Sequence, residues 1–133
     1  MKRKFAFACA AVGAIVFAKC GAAADLYVIA HPTTAIAADD VKDVYVGEKQ
    51  FGGNVKLVPT DNPAAKALFL ERVLRMDDGR YNTVWIKKGF REGILAPAQK
   101  LGDSAVIEFV RSTPGAVGYV TSAPASVTIV QKY

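Results

Sequence analysis

The spacing of apolar and polar positions divides the chain into short strands and amphipathic helices. Asp25–Ala30 (DLYVIA) is nearly continuous in apolar residues, as a strand buried on both faces requires. His31-Pro32-Thr33-Thr34 turns the chain. Ala37–Val46 predicts a helix with Val41, Val44 and Tyr45 inward and Asp40, Lys42 and Asp43 outward, closed by Gly47. A turn over Gln50–Asn54 leads to a second strand, Val55–Thr60. Asn62-Pro63 then suits the start of the longest helix, with Asn62 as N-cap and Pro63 pre-set for the first helical position. Along it Ala65, Phe69, Val73 and Met76 line one face, Leu70 and Leu74 widen it, and Glu71 and Arg75 form an i, i+4 pair on the wet side. A further helix spans Arg80–Lys88 and carries Trp85, the single tryptophan, as a core residue. Gly89–Gly102 reads as a surface loop with a short helical piece over Pro97–Leu101.

The chain is organised around Asp103–Val120 (DSAVIEFVRSTPGAVGYV). Asp103 or Ser104 can cap a helix whose apolar face is Val106, Phe109 and Val110. Pro114 ends that helix at Thr113, and Pro114-Gly115 fits the centre of a type II turn. Ala116–Val120 follows as a strand with Val117 and Tyr119 on one face. Gly118, on the other, allows close approach of a neighbour. After a small-residue loop, Thr121–Ser126, Val127–Val130 is the last strand. Strands alternating with helices predict an α/β fold, a mixed sheet flanked by helices. No internal repeat or low-complexity tract interrupts it.

Composition changes the picture mainly at the N-terminus. The chain has 133 residues, 52% of them hydrophobic, enough for one compact domain. Residues 1–24 stand apart from it. Lys2-Arg3-Lys4 is a basic segment, Phe5–Ala18 a short apolar run, and Ala22-Ala23-Ala24 a small-residue cleavage site, so residues 1–24 read as a signal peptide and the mature domain as 25–133. A membrane anchor is the alternative, but the run is short for a span. Lipid attachment at Cys20 is another, disfavoured by Lys19 where a small residue is wanted. Lys2, Arg3, Lys4 and Lys19 leave with this segment. That takes the 17 basic residues to 13 against 12 acidic ones, and the net charge from +5 to +1. A charge of +1 argues against a nucleic-acid surface. Both cysteines, Cys9 and Cys20, leave as well, and stability then rests on burial.

Little in the mature sequence points to catalysis. His31 is the single histidine and has no Cys or second His to join it, so no metal site is expected. Ser104, Ser112, Ser122 and Ser126 have only His31 as a base and lie in no nucleophile motif, and the carboxylates form no suggestive pair. No enzyme activity and no cofactor are expected. The candidate chemistry is instead anion binding at a strand–helix junction. There, backbone N–H groups point outward and the helix dipole favours negative charge. The ligand-binding set read from this junction is Thr60, Asp61, Asn62, Ala64 and Ala65, with Lys66 nearby. Asp61 would repel an anion, and Pro63 removes a donor.

The stretch Ser112-Thr113-Pro114-Gly115-Ala116-Val117-Gly118-Tyr119-Val120 resembles the TPGAIGYV-type motif of phosphate-binding periplasmic proteins of ABC transporters. Asp39–Lys49 (DDVKDVYVGEK) is similar to the same family's helix before its anion strand. Val58-Pro59-Thr60-Asp61 resembles the strand entering the anion loop, and Phe69–Met76 the helix after it. Trp85, Phe90, Gly93 and Pro97 resemble a further pattern of the family. The resemblance covers most of residues 25–123 and implies one lobe of a type 2 periplasmic binding protein. It implies a periplasmic domain that binds phosphate or a related small oxyanion for or near an ABC transporter. The alternative is an interaction or adaptor domain that keeps the lobe fold without a ligand and meets a membrane transporter or another envelope protein. The family's loop carries an Arg and a Ser-Gly-Thr run, which Thr60–Lys66 does not reproduce. Two-lobed binders enclose their ligand, whereas a single lobe leaves a half-site open to water. Homodimerisation would rebuild a cleft.

Overall fold

The structure is a computed structural model that describes residues 24–133. The predicted signal peptide, except for Ala24, lies outside the described residues. The elements follow in the order β1 (Tyr27–Ala30), a 3₁₀ turn (Ala38–Asp40) running into α1 (Val41–Tyr45), β2 (Phe51–Gly52), β3 (Val55–Lys56) and β4 (Val58–Asp61). Next come α2 (Lys66–Phe69), continued by a π-helical turn over Leu70–Leu74, then α3 (Asp78–Glu92) and β5 (Ala98–Gln99). The chain ends with α4 (Asp103–Ser112), β6 (Ala116–Val120) and β7 (Thr128–Lys132).

Five strands form one sheet in the order β5-β4-β6-β1-β7, and β2 and β3 make a separate hairpin. The sheet is mixed: β4 runs parallel to both β5 and β6, whereas β1 is antiparallel to β6 and β7. Strand β6 is central and buried along its whole length, as its apolar run requires. Successive residues of a strand face opposite sides, and this splits the core into two layers. Val28, Ala30, Val117 and Tyr119 meet α1, α2 and α3 on one side through Val41, Tyr45, Phe69 and Trp85. Ile29, Ala116 and Val120 meet α4 on the other through Val106 and Val110. The α/β class and the mixed sheet flanked by helices are therefore as the sequence implies.

The helix–turn–strand corner also forms as its residues dictate. Gly115 takes φ 84°, the left-handed conformation of a type II turn, and Ala116 N–H donates to Thr113 O at 3.1 Å. Gly118 lies against α4 so closely that a Cβ there would stand 2.5 Å from Val106 Cγ1. This contact brings α4 flat onto the sheet.

Several elements differ from expectation. Val55–Lys56 pairs with Phe51–Gly52 as a hairpin, so the second strand of the main sheet begins only at Val58. The helix after β4 starts at Lys66, because Pro63 and its neighbours form turns first. Its π turn places Leu70 and Leu74 fully inward and leaves Val73 and Met76 at the margin. Arg75 enters the left-handed region at φ 55° and ends the helix, so it makes no ion pair with Glu71. Helix α3 runs past both ends of its apolar spacing: Asp77 Oδ1 caps its start by accepting from Arg80 N–H at 2.7 Å, and the left-handed Gly93, at φ 67°, ends it. No helix forms over Pro97–Leu101. Ala98–Gln99 pairs in parallel with Thr60–Asp61 instead, a sheet-edge pairing that no local pattern announces.

Candidate functional site

Among the described residues, the buried polar and charged side chains are three in a row: Thr60, Asp61 and Asn62, at the C-terminal end of β4. A buried polar atom without a partner is costly, and every one of these has a partner. The partners define the site. Thr60 Oγ1 donates to Ala98 O at 2.6 Å and ties β5 to β4. The Asp61 carboxylate lies between two phenols, with Tyr119 Oη donating to Oδ1 at 3.0 Å and Tyr81 Oη to Oδ2 at 2.9 Å. Asn62 Nδ2 donates to Asp103 Oδ1 at 2.8 Å and to Tyr119 O at 3.2 Å.

Two backbone donors of the loop are engaged too. Ala64 N–H donates to Asn62 Oδ1 at 3.2 Å, and Ala65 N–H to Asn62 O at 3.0 Å. The five residues read as a ligand-binding set therefore come together as one cluster. The Thr60 hydroxyl, the Asn62 amide and the N–H groups of Ala64 and Ala65 turn to partners within the chain.

Asp103 was legible only as a helix cap, and it has another role. The N-cap of α4 is Gly102, which makes no side-chain cap bond. The Asp103 carboxylate instead crosses to the strand ends. Its Oδ2 accepts from Thr121 N–H at 3.0 Å and Thr121 Oγ1 at 2.6 Å, with Ser122 Oγ at 3.5 Å. A resident carboxylate thus joins the loop after β4, the start of α4 and the residue after β6.

Aromatic packing holds the layer beneath. Phe69 and Tyr119 stack with ring centres 4.0 Å apart, and Tyr45 meets Phe69 edge-on at 4.6 Å. Tyr45 Oη donates to Thr60 O at 2.8 Å and contacts Val117 O at 3.2 Å, bridging β4 and β6 from below. Trp85 Nε1–H donates to Tyr45 O at 3.1 Å, which places the indole in the core as expected.

Burial pushes the Asp61 carboxyl above the usual carboxylate range; the two phenol donors, and Lys66 through its charge, pull part of the way back. Burial, together with Asp61, pushes the Tyr81 and Tyr119 phenols far above their ordinary range. Both therefore remain protonated and able to donate. Beside Asp61 opens a cleft of about 440 Å³ whose walls include Lys66, Tyr81, Trp85, Ile86 and Pro97. Lys66 Nζ lies 3.2 Å from Asp78 Oδ1 and 5.0 Å from the centre of the Tyr81 ring. The region thus combines two carboxylates, Asp61 and Asp103, with one lysine that already has an acidic partner. Its chemistry is hydrogen bonding.

His31 sits in the loop after β1, where its Nδ1 meets Thr33 Oγ1 at 2.8 Å. Among the described residues no three His, Cys, Asp or Glu side chains gather as a metal site. No helix among them is long and apolar enough to cross a membrane.

The fold has counterparts among solved structures. A protein from Clostridium perfringens assigned as a phosphate ABC transporter substrate-binding protein, solved with bound phosphate, is similar over 81% of this chain at 18% identity and a TM-score of 0.50. PstS from Borrelia burgdorferi is similar over 73% of this chain at 14% identity and a TM-score of 0.51. The matched part is 45% of the first and 41% of the second, so this chain spans less than half the length of either. At these identities the likeness is one of fold, and the fold is that of a substrate-binding protein's portion. No protein-family model and no curated protein matches the chain.

Proposed function

We propose that this chain works in the periplasm as an interaction lobe of the phosphate-receptor fold, meeting an envelope protein or membrane transporter of the ABC type. It does so without holding free oxyanion in the loop after β4. One observation carries the reading: Asn62 takes up the N–H groups of Ala64 and Ala65, and the Asp103 carboxylate takes up Asn62 Nδ2 and both Thr121 donors. A free phosphate arriving there meets two resident carboxylates and no unengaged cation, and Coulomb repulsion opposes it. Calorimetric titration with phosphate, sulfate and carboxylates tests this, alongside capture of partners from periplasm. The expected result is no heat at millimolar ligand and a reproducible protein partner. Sub-millimolar phosphate binding to the unaltered protein would overturn the reading.

A second reading rests on the same carboxylate. Asn62 Nδ2, Thr121 N–H and Thr121 Oγ1 converge on Asp103 within 3.0 Å, and such a donor set also suits an oxyanion. If Asp103 swings out, Thr60–Ala65 and Thr121 become a weak phosphate site of an ABC transporter's substrate-binding component. Homodimerisation would then close the open half-site. Phosphate affinity that rises on removal of the Asp103 carboxylate, with a concentration-dependent dimer in light scattering, is the result this reading expects.

A further inference from the structure

Helix α3 has an outer edge that the core does not use. Its inner side carries Tyr81 and Trp85, while Ile86 and Phe90, one turn apart, stand 61% and 91% exposed. Gly93 ends the helix and folds the chain back, so that the Ile94 carbonyl lies over Gly89 and Leu95 emerges 90% exposed. Ala96 and Pro97 then share a cleft wall with Ile86, which keeps this return segment beside the helix. Along one flank run Lys87 and Arg91, at i, i+4. Neither has a carboxylate partner within 4.0 Å among the described residues, whereas Lys88 is held by Glu48 and Glu92.

We infer that this edge is a peripheral docking surface for an anionic bilayer. Its chemistry is that of an interfacial helix: apolar tips that enter the boundary between headgroups and acyl chains, and cations alongside that meet lipid phosphates. Charge complementarity selects the occupant, since the flank offers two cations with no carboxylate within 4.0 Å among the described residues, beside largely exposed apolar side chains. A protein partner would need a matching concavity for side chains that protrude this far, whereas a fluid headgroup layer does not. The inference does not depend on what the loop after β4 binds.

The test is flotation of protein purified from expression of the full chain with vesicles of phosphatidylcholine, with and without about a third phosphatidylglycerol. Binding is expected on the anionic vesicles only, with release in about 0.5 M salt. The Phe90→Ser/Leu95→Ser and Lys87→Glu/Arg91→Glu pairs should each lower it about tenfold while leaving the thermal midpoint in place, because all four side chains lie at the surface. Three outcomes would overturn the inference: equal flotation of parent and variants, equal binding to neutral vesicles, or retention only on membranes that contain a protein receptor.

Discussion

Replacing Asp103 by alanine is the most informative perturbation of this structure. The carboxylate accepts from Asn62 Nδ2, Thr121 N–H and Thr121 Oγ1 at 2.8, 3.0 and 2.6 Å. Hydrogen bonds to a charged group contribute about 1.5–3 kcal/mol each. The Thr121 hydroxyl is partly exposed and turns to water when Asp103 is lost, so it contributes little. Asn62 is fully buried, and its Nδ2 keeps only the bond to Tyr119 O. With Asp103 itself only half-buried, the lower end of the range applies to two bonds. The expected loss is about 3 kcal/mol. For a domain of this size that lowers the thermal midpoint by roughly 10 °C. Differential scanning calorimetry in anion-poor buffer reads it directly, with Asp103→Asn as the milder companion. A midpoint within about 2 °C of the parent would refute the view that this carboxylate organises the strand ends. Adding phosphate to Asp103→Ala then separates the two functional readings. At tenfold excess over Kd the gain is about 1.4 kcal/mol. No gain beyond that of chloride at equal ionic strength removes the oxyanion reading.

Three further outcomes follow from the packing. Gly115→Ala should destabilise more than Gly118→Ala in urea unfolding. At Gly115 the new Cβ lies against the Lys56 carbonyl in a left-handed backbone, whereas at Gly118 it meets the Val106 side chain, an overpacking of about 1–3 kcal/mol; the reverse order would contradict the corner as described. Asp61→Asn should stabilise the protein relative to the parent increasingly as pH rises from 3.8 through the raised range of the folded carboxyl. A carboxyl that holds its proton more tightly when folded loses stability on ionising, and the amide cannot ionise; a pH-independent difference would count against it. Tyr45→Phe should cost about 1–2 kcal/mol by thermal unfolding, since it removes the buried donor to Thr60 O and leaves the ring's packing intact; an unchanged midpoint would show the bond to be dispensable.

The apolar pattern alone determined a good deal of this protein. It carried the α/β class, the buried runs of β1 and β6, the inward faces of α1 and α4, and the turn at Pro114-Gly115. Each depends on residues within a few positions of one another, where helical and extended periodicities are written directly into the chain. Local order also singled out Thr60 to Ala65, because strand ends and helix starts gather polar groups. Tertiary structure decided what those groups do. Asn62 looked like a helix cap until the fold set it beside Asp103, 41 positions along the chain, and Asp61 met Tyr119 across 58. The strand at Ala98–Gln99 likewise exists only because β4 offers an edge to pair with. Hydrogen-bond partners brought together by the crossing of a sheet leave no mark in local spacing, and their identity is fixed only when the strands take their places.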